Sequence, residues 1–366
     1  MLVNCAIAAL ALGATSAIAA KCPVPVTTTS TTTCLTTSAT TSAASPSSTS
    51  VPKPSDDQPS LIVFGDSMSD NGSTQHYSNY SHYWGGRYSN SYMWNEYSAK
   101  LLNLNLENWA IGGSTTDNKF VPAYGRAQLI PSVADIVPQY IANNTHATDN
   151  KKRNSIIAID GGGNDFFYSI DNLQSGKYNI LSFVNKMVGN QIRSIKLLLD
   201  AGYRNIYLLN MPSLQMAPAI AEIGASPLAG IVGAFFDTVY HAQLAALHLE
   251  QPIKAKGVKL FDLQGLINTS GKKASLQALN ITTVANYCVT TNADGSFNYC
   301  SDPDTRYYYD DFHPTGRPHY LIGVVFANTV KNPLYPVTVD SIRKIAKEYD
   351  IAHSDSTHNI IASASH

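Results

Sequence analysis

Charge is scarce in this chain. Asp, Glu, Lys and Arg make up 14% of its 366 residues, and 25 basic against 26 acidic side chains leave a formal net charge of -1. An average globular chain carries about 25% charged residues, and here no basic excess offers a footprint for a polyanion. Nucleic acid and acidic membrane surfaces are therefore excluded as expected partners. Long apolar runs are also missing: the one within residues 1–20 is too short to span a bilayer, and no other stretch qualifies as a transmembrane segment. Cysteine is rare, with five in the chain, and no Cys or His spacing resembles a zinc site, so no metal is expected.

The sequence opens with uncharged residues, an Ala/Leu/Ile stretch and a small-x-small site at Ala17 to Ala19, which predicts a signal peptide over 1–20 and a secreted, extracellular protein. Five N-x-S/T sequons, at Asn71, Asn79, Asn143, Asn268 and Asn280, agree with a glycosylating route. Asn71 stands so close to Ser67 that a glycan would crowd it, and it is expected to be bare. Cys5 falls in the signal, leaving Cys22, Cys34, Cys288 and Cys300, an even set suited to an oxidising compartment. Four cysteines allow three pairings; the short separations favour Cys22 with Cys34 and Cys288 with Cys300, each bridge contributing about 2–4 kcal/mol. Residues 21–60 are dominated by Ser, Thr, Ala and Pro and bury too little apolar area to fold, so they read as a disordered, O-glycosylated linker.

One domain is expected over 61–336, followed by a C-terminal helix and tail over 337–366 whose last residues, from 350 on, should fray. Short apolar runs at 61–64, 106–110, 156–159, 205–209 and 258–261 predict strands, and helical patterns fit between them. The clearest helix covers 180–200, with Leu181, Val184, Val188, Ile192, Ile195 and Leu199 on one face and Gly202 as its stop. Alternation of helices with continuously apolar strands predicts an α/β fold with a central parallel sheet covered on both faces. Sites in such folds lie at the carboxyl ends of the strands.

Four short blocks fall at such ends. In the first, Leu61 to Phe64 run into Gly65, Asp66 and Ser67, a turn that would hold a hydroxyl out of the sheet. A serine is a poor nucleophile near neutral pH and needs a base, a group orienting that base, and donors for the developing oxyanion. Far downstream, His313 is the candidate base and Asp310, three residues earlier, its orienter; Asp311 is the competitor to Asp310. The second block runs from Asn108 to Ser114, where Gly113 offers a bare backbone N–H. In the third, Asp160 to Asp165, Asn164 offers a side-chain amide. Asp70 and Asp165 read as turn and cap residues, and His76, His241 and His319 as surface or core residues.

In this order the blocks resemble the SGNH, or GDSL-type, hydrolase superfamily over roughly residues 61–332. A stretch at 86–97 is similar to a segment of the branch containing secreted lipase-like and hemolysin-like enzymes and fungal-type carbohydrate acetylesterases. The resemblance implies a flavodoxin-like three-layer α/β/α sandwich, an esterase without metal or organic cofactor, and a role for each matched residue. Ser67 would be nucleophile and backbone donor, Gly113 and Asn164 the remaining oxyanion donors, His313 the base and Asp310 its orienter. Met68 stands where the family's namesake tetrapeptide has Leu, a packing position.

Aromatic residues crowd the flanks of these blocks: Tyr77, Tyr80, Tyr83, Trp84, Tyr88, Tyr92 and Trp94 after the first, and Tyr307 to Tyr309 before Asp310. As an entrance lined with flat rings they favour short acyl, especially acetyl, esters of an oligosaccharide; as core residues they carry no such message. The Ala/Gly/Ile-rich stretch 217–236 points instead to a lipid substrate if it is a mobile apolar cover, and is neutral if it is a buried helix. The expected function is thus a secreted serine ester hydrolase for carbohydrate acetyl esters, with a lipase or phospholipase, or an inactive surface glycoprotein, as the alternatives.

Overall fold

The computed structural model of the protein describes residues 57–73, 82–126 and 128–364. The expected signal peptide and nearly all of the linker, Cys22 and Cys34, His76, Tyr77, Tyr80 and the sequon at Asn79 lie outside the described residues. Five strands, β1 (Ser60–Phe64), β2 (Asn105–Asn108), β3 (Ile156–Ile159), β4 (Asn205–Leu209) and β5 (Val258–Phe261), pair in parallel in the order β2-β1-β3-β4-β5. The eight main helices are α1 (Trp94–Leu102), α2 (Val133–Asn143), α3 (Gly163–Gln174), α4 (Ile180–Asp200), α5 (Ser226–Glu250), α6 (Leu263–Ser270), α7 (Gly316–Lys331) and α8 (Val339–Glu348). A small antiparallel ribbon pairs β6 (Val289–Thr291) with β7 (Phe297–Tyr299).

Strand alternation explains why the sheet is sandwiched. Ile62, Phe64, Ile157, Ile159, Ile206 and Leu208 point to one side, where α2, α3, α4 and α5 cover them with Val133, Phe166, Val184, Ile195, Phe236 and their neighbours. Leu61, Val63, Ile156, Ala158, Tyr207 and Leu209 point to the other, against Trp94 and Tyr97 of α1, Leu266 of α6, Phe326 of α7 and Ile342 of α8. Both faces of the central strands β1, β3 and β4 are covered, so these read as apolar runs, whereas the edge strand β2, Asn-Leu-Glu-Asn, is only partly buried. The result is the expected three-layer α/β/α sandwich. The chain passes from β1 outward to β2 and then crosses back to β3 on the opposite side of β1. The carboxyl ends of β1 and β3 therefore flank the crevice where such sheets bind ligands.

Most of the expected elements form, and the departures have physical causes. Leu181 is 48% exposed because the first turn of α4 overhangs its neighbours, burial beginning at Phe183. The stretch 217–236 is no loose cover: Ala217, Ile220, Ala229, Val232 and Phe236 are buried, most of them along α5. The C-terminal stretch expected to fray packs down instead. Ile351 is fully buried, Ile360 and Ile361 rest on the same cluster as α7, and the Arg317 guanidinium of α7 donates to the carbonyls of Ser354 at 3.2 Å and Asn280 at 2.9 Å. Few apolar anchors suffice where a buried cation collects otherwise unpaired carbonyls.

Candidate active site

Beyond β1 the chain turns at once into a helical bend, with the N–H groups of Ser69 and Asp70 donating to the Asp66 carbonyl at 3.0 and 2.9 Å. The bend rests on Asp160, at the end of β3, whose carboxylate accepts from the Asp66 N–H at 2.9 Å and from the Ser69 hydroxyl. Gly65 is needed there because a Cβ would overlap the Asp160 carboxylate. Trp94 Nε1 donates to Ser69 Oγ at 3.0 Å, while Asn95 and Asn108 both donate to the Ser69 carbonyl at 2.7 Å. Burial, then the neighbouring Asp66 charge, pushes the Asp160 carboxyl well above the ordinary range, and burial likewise raises Asp66. Asp160 belongs to a block noted in the sequence, but its grip on the serine turn spans 94 residues and leaves no local signal.

The donor blocks arrive from β2 and β3. Gly113 has φ +89, a left-handed conformation in which a side chain would also meet Ile130, and its N–H has no acceptor among the described residues. Asp70 ties this turn to the serine bend, accepting from Gly72 N–H and Gly112 N–H at 2.8 Å each. Asp165, fully buried at the start of α3, accepts from the Thr116 N–H at 2.9 Å and the Thr116 hydroxyl at 2.6 Å; burial pushes its carboxyl up to about 7. Both aspartates stabilise turns. Asn164 Nδ2 donates to the Ser114 carbonyl at 2.9 Å and more weakly to Asp66 Oδ2 at 3.3 Å. One amide hydrogen therefore anchors the side chain and the other is held by a long contact that a stronger acceptor would displace.

From the loop before α7, His313 Nε2 lies 2.8 Å from Ser67 Oγ, and its Nδ1 lies 2.7 Å from Asp310 Oδ2. The other Asp310 oxygen accepts the N–H groups of Phe312 at 2.8 Å and His313 at 2.6 Å, so the three-residue spacing folds back into a tight turn. Burial alone would raise the Asp310 carboxyl; the His313 charge and these hydrogen bonds bring it down to about 2. Burial pulls His313 down, but the Asp310 carboxylate more than offsets this and sets it above the usual histidine value. Asp311 faces the cavity beside them, pushed up to about 7 by burial and by Asp310, and does not touch the imidazole. His319 is buried in α7, where desolvation lowers it to about 3, and His241 is exposed.

Ser67, Gly113, Asn164, Asp310 and His313, drawn from distant parts of the chain, all line one cavity of about 360 Å³. Its walls are mainly apolar, with Met68, Ile130, Phe167, Leu214, Ala217 and Phe312 prominent. The β6–β7 ribbon closes one side, held by the Cys288–Cys300 disulfide and by the N–H groups of Cys288 and Val289 on the Tyr309 carbonyl at 2.9 and 2.7 Å. The aromatic flanks divide: Tyr83, Tyr88 and Tyr308 reach the cavity, whereas Trp94 and Tyr307 are core and Tyr92 pairs with Trp84 and Arg87 away from it. The Tyr83 hydroxyl donates to Asp310 Oδ2 at 2.5 Å, a role that nothing local in the sequence marks.

Residues 61–323, more than half of the chain, match the family described as GDSL-like Lipase/Acylhydrolase. The thermolabile hemolysin of Vibrio parahaemolyticus is 24% identical over 280 residues, covering 72% of this chain and 61% of that protein. The secreted effector protein SseJ of Salmonella typhimurium is 27% identical over 181 residues, 46% of this chain and 40% of that protein. The chain thus spans about three fifths and two fifths of these curated relatives. Among solved structures, Est24, a carbohydrate acetylesterase from Sinorhizobium meliloti, aligns at 14% identity with a TM-score of 0.44, covering 76% of this chain and all of that one. Axe2, an acetylxylan esterase from Geobacillus stearothermophilus, aligns at 14% identity with a TM-score of 0.38, covering 77% of this chain and 98% of its own. With the family pattern matched across the sheet and its strand-end blocks, the chain belongs to the GDSL-like lipase/acylhydrolase family.

Proposed function

We propose that the protein is a secreted serine hydrolase of carboxylic esters that works through an acyl-enzyme on Ser67. The observation that carries this reading is the unbroken run of contacts from Asp310 through His313 to Ser67, at 2.7 and 2.8 Å, at one apolar-walled cavity. Ser67 Oγ attacks the ester carbonyl carbon while His313 Nε2 takes its proton, and Asp310 holds the ring in the tautomer that leaves Nε2 free to accept. The carbonyl oxygen becomes an oxyanion that the N–H groups of Ser67 and Gly113 and the Asn164 amide are suited to receive. As the C–O bond to the alcohol breaks, His313 returns the proton to the departing oxygen. Water then gives a proton to His313 as it attacks the acyl carbon; the acyl–Oγ bond breaks, the acid leaves, and His313 returns the proton to Ser67 Oγ, restoring the hydroxyl and the neutral imidazole.

For the acyl group, the apolar walls favour a chain longer than acetyl, which would bury methylenes at about 0.8 kcal/mol each. The case for an acetylated carbohydrate rested on a platform of rings, and with Trp94 and Tyr307 in the core that platform shrinks. Secretion is supported by the residues 1–20 and by a disulfide that suits an oxidising compartment.

Ser67→Ala should abolish turnover of nitrophenyl esters and labelling by an active-site phosphonate. Turnover that survives this substitution would overturn the reading and leave a non-enzymatic surface glycoprotein as the alternative. A panel of nitrophenyl acetate, octanoate and palmitate with acetylated xylo-oligosaccharide ranks the substrates; strongest turnover of the acetyl esters would restore the carbohydrate reading.

A further inference from the structure

We infer that Tyr83 is a positioning residue of this relay, its hydroxyl fixing the Asp310 carboxylate so that His313 stays aimed at Ser67; the inference rests on the roles proposed above for those three residues. Asp310 Oδ2 is shared: it meets His313 Nδ1 at 2.7 Å and accepts the Tyr83 hydroxyl at 2.5 Å. Since Oδ1 is already taken by two backbone N–H groups, the four contacts leave the carboxylate no freedom to rotate about its Cβ–Cγ bond. Without Tyr83, one lone pair on a buried, charged oxygen would lose its partner.

The rings reinforce the same geometry. Tyr83 stands edge-on to the His313 ring with centroids 6.0 Å apart, and packs 4.7 Å from Tyr88, which in turn lies 4.8 Å from His313. The imidazole is thus boxed by a loop far from its own in the chain. Burial and the Asp310 charge hold the Tyr83 phenol well above its ordinary pKa, so it remains a donor throughout the range in which the enzyme would work.

The other groups facing this pair set the expected sign. Asp310 is faced by His313, Tyr83, Tyr287, His82 and its neighbours Tyr309 and Asp311; His313 is faced in addition by Asp66 from the serine turn, Tyr88, and His319 from α7. Burial lowers His82, which keeps it from adding positive charge near neutral pH. A phenol donating to Asp310 draws negative charge out of Oδ2. Removing that donor leaves a carboxylate that grips the imidazolium harder, so His313 should gain basicity while its orientation loosens.

Tyr83→Phe keeps the ring and deletes only the donor. The expected result is a kcat about tenfold lower with KM nearly unchanged, an acid limb of kcat/KM displaced to higher pH by up to about one unit, and a shifted downfield proton resonance for His313 Nδ1–H. Tyr203→Phe, which removes a buried phenol contact to Tyr140 at 2.9 Å away from the site, is the control and should move neither limb nor resonance. An unmoved limb and resonance in Tyr83→Phe would overturn the inference, whether or not its melting temperature falls. The resonance is read without substrate. A wild-type protein that turned over no ester would therefore sink the proposed function, while the resonance would still decide whether Tyr83 holds Asp310.

Discussion

The two halves of the active-site cavity are built on different principles. Ser67, Gly113 and Asn164 stand where β1, β2 and β3 end, and the paired strands beneath them, β1 and β3, are completely buried. Asp310 and His313 belong to a loop held by individual bonds. The Tyr309 N–H donates to the His313 carbonyl at 2.7 Å, the Tyr309 hydroxyl to the His82 carbonyl at 2.7 Å, and the Ser89 hydroxyl to the Pro314 carbonyl at 2.9 Å. A ladder places its ends cooperatively with the core, so the donor half can loosen only if the sheet does. The base half is fixed contact by contact, and each contact can be removed while the fold remains.

That contrast predicts different failures. On the sheet side, Asn164→Ala should cut kcat by about a hundred- to a thousandfold, the usual cost of losing one oxyanion donor, with the melting temperature little changed. A loss below tenfold would mean that the Asn164 amide serves Ser114 and Asp66 rather than an oxyanion. On the loop side, the proposed base His313 must be neutral to accept a proton, and Asp310 holds it above the ordinary histidine value. Activity in kcat/KM should therefore fall as the pH drops through a midpoint above that value, about tenfold for each further unit. A midpoint at or below it would detach Asp310 from the imidazole.

Smaller still should be the effect of opening the ribbon. Replacing Cys288 and Cys300 together by Ser releases a loop spanning 12 positions and should cost about 2–3 kcal/mol of stability. Through Tyr309, the kinetic damage should fall on the base half: a modest loss of kcat, seen in steady-state kinetics, with phosphonate labelling of Ser67 slowed rather than lost. Complete loss of folding would show that the two halves are less independent than their construction implies.

Legibility in the sequence follows the same divide. Strand positions and the 180–200 helix could be read because an apolar run and a 3.6-residue period are local properties of the chain. Ser67, Gly113, Asn164, Asp310 and His313 could be singled out because each sits in a short block with its own chemistry. Asp160 and Tyr83 could not, since what matters about them is a partner 94 or 227 residues away. The aromatic cluster was ambiguous for a related reason: a tyrosine in the core and a tyrosine at an entrance are spelled alike, and only packing separates Tyr307 from Tyr308. The tail packs through Ile351, Ile360 and Ile361 and through Arg317 reaching across from α7, partners that lie far from it in the chain.

Trp94 gives the serine turn an optical voice. Its indole is sealed in the interior yet bonded to the side chain of Ser69, two residues from Ser67, the proposed nucleophile. An indole so placed emits toward the blue, and any loosening of the bend on acylation would be written as a red shift and quenching. Replacing Trp84 and Trp109 with Phe would isolate that signal, letting the surroundings of Ser67 be followed in real time without a chromogenic ester.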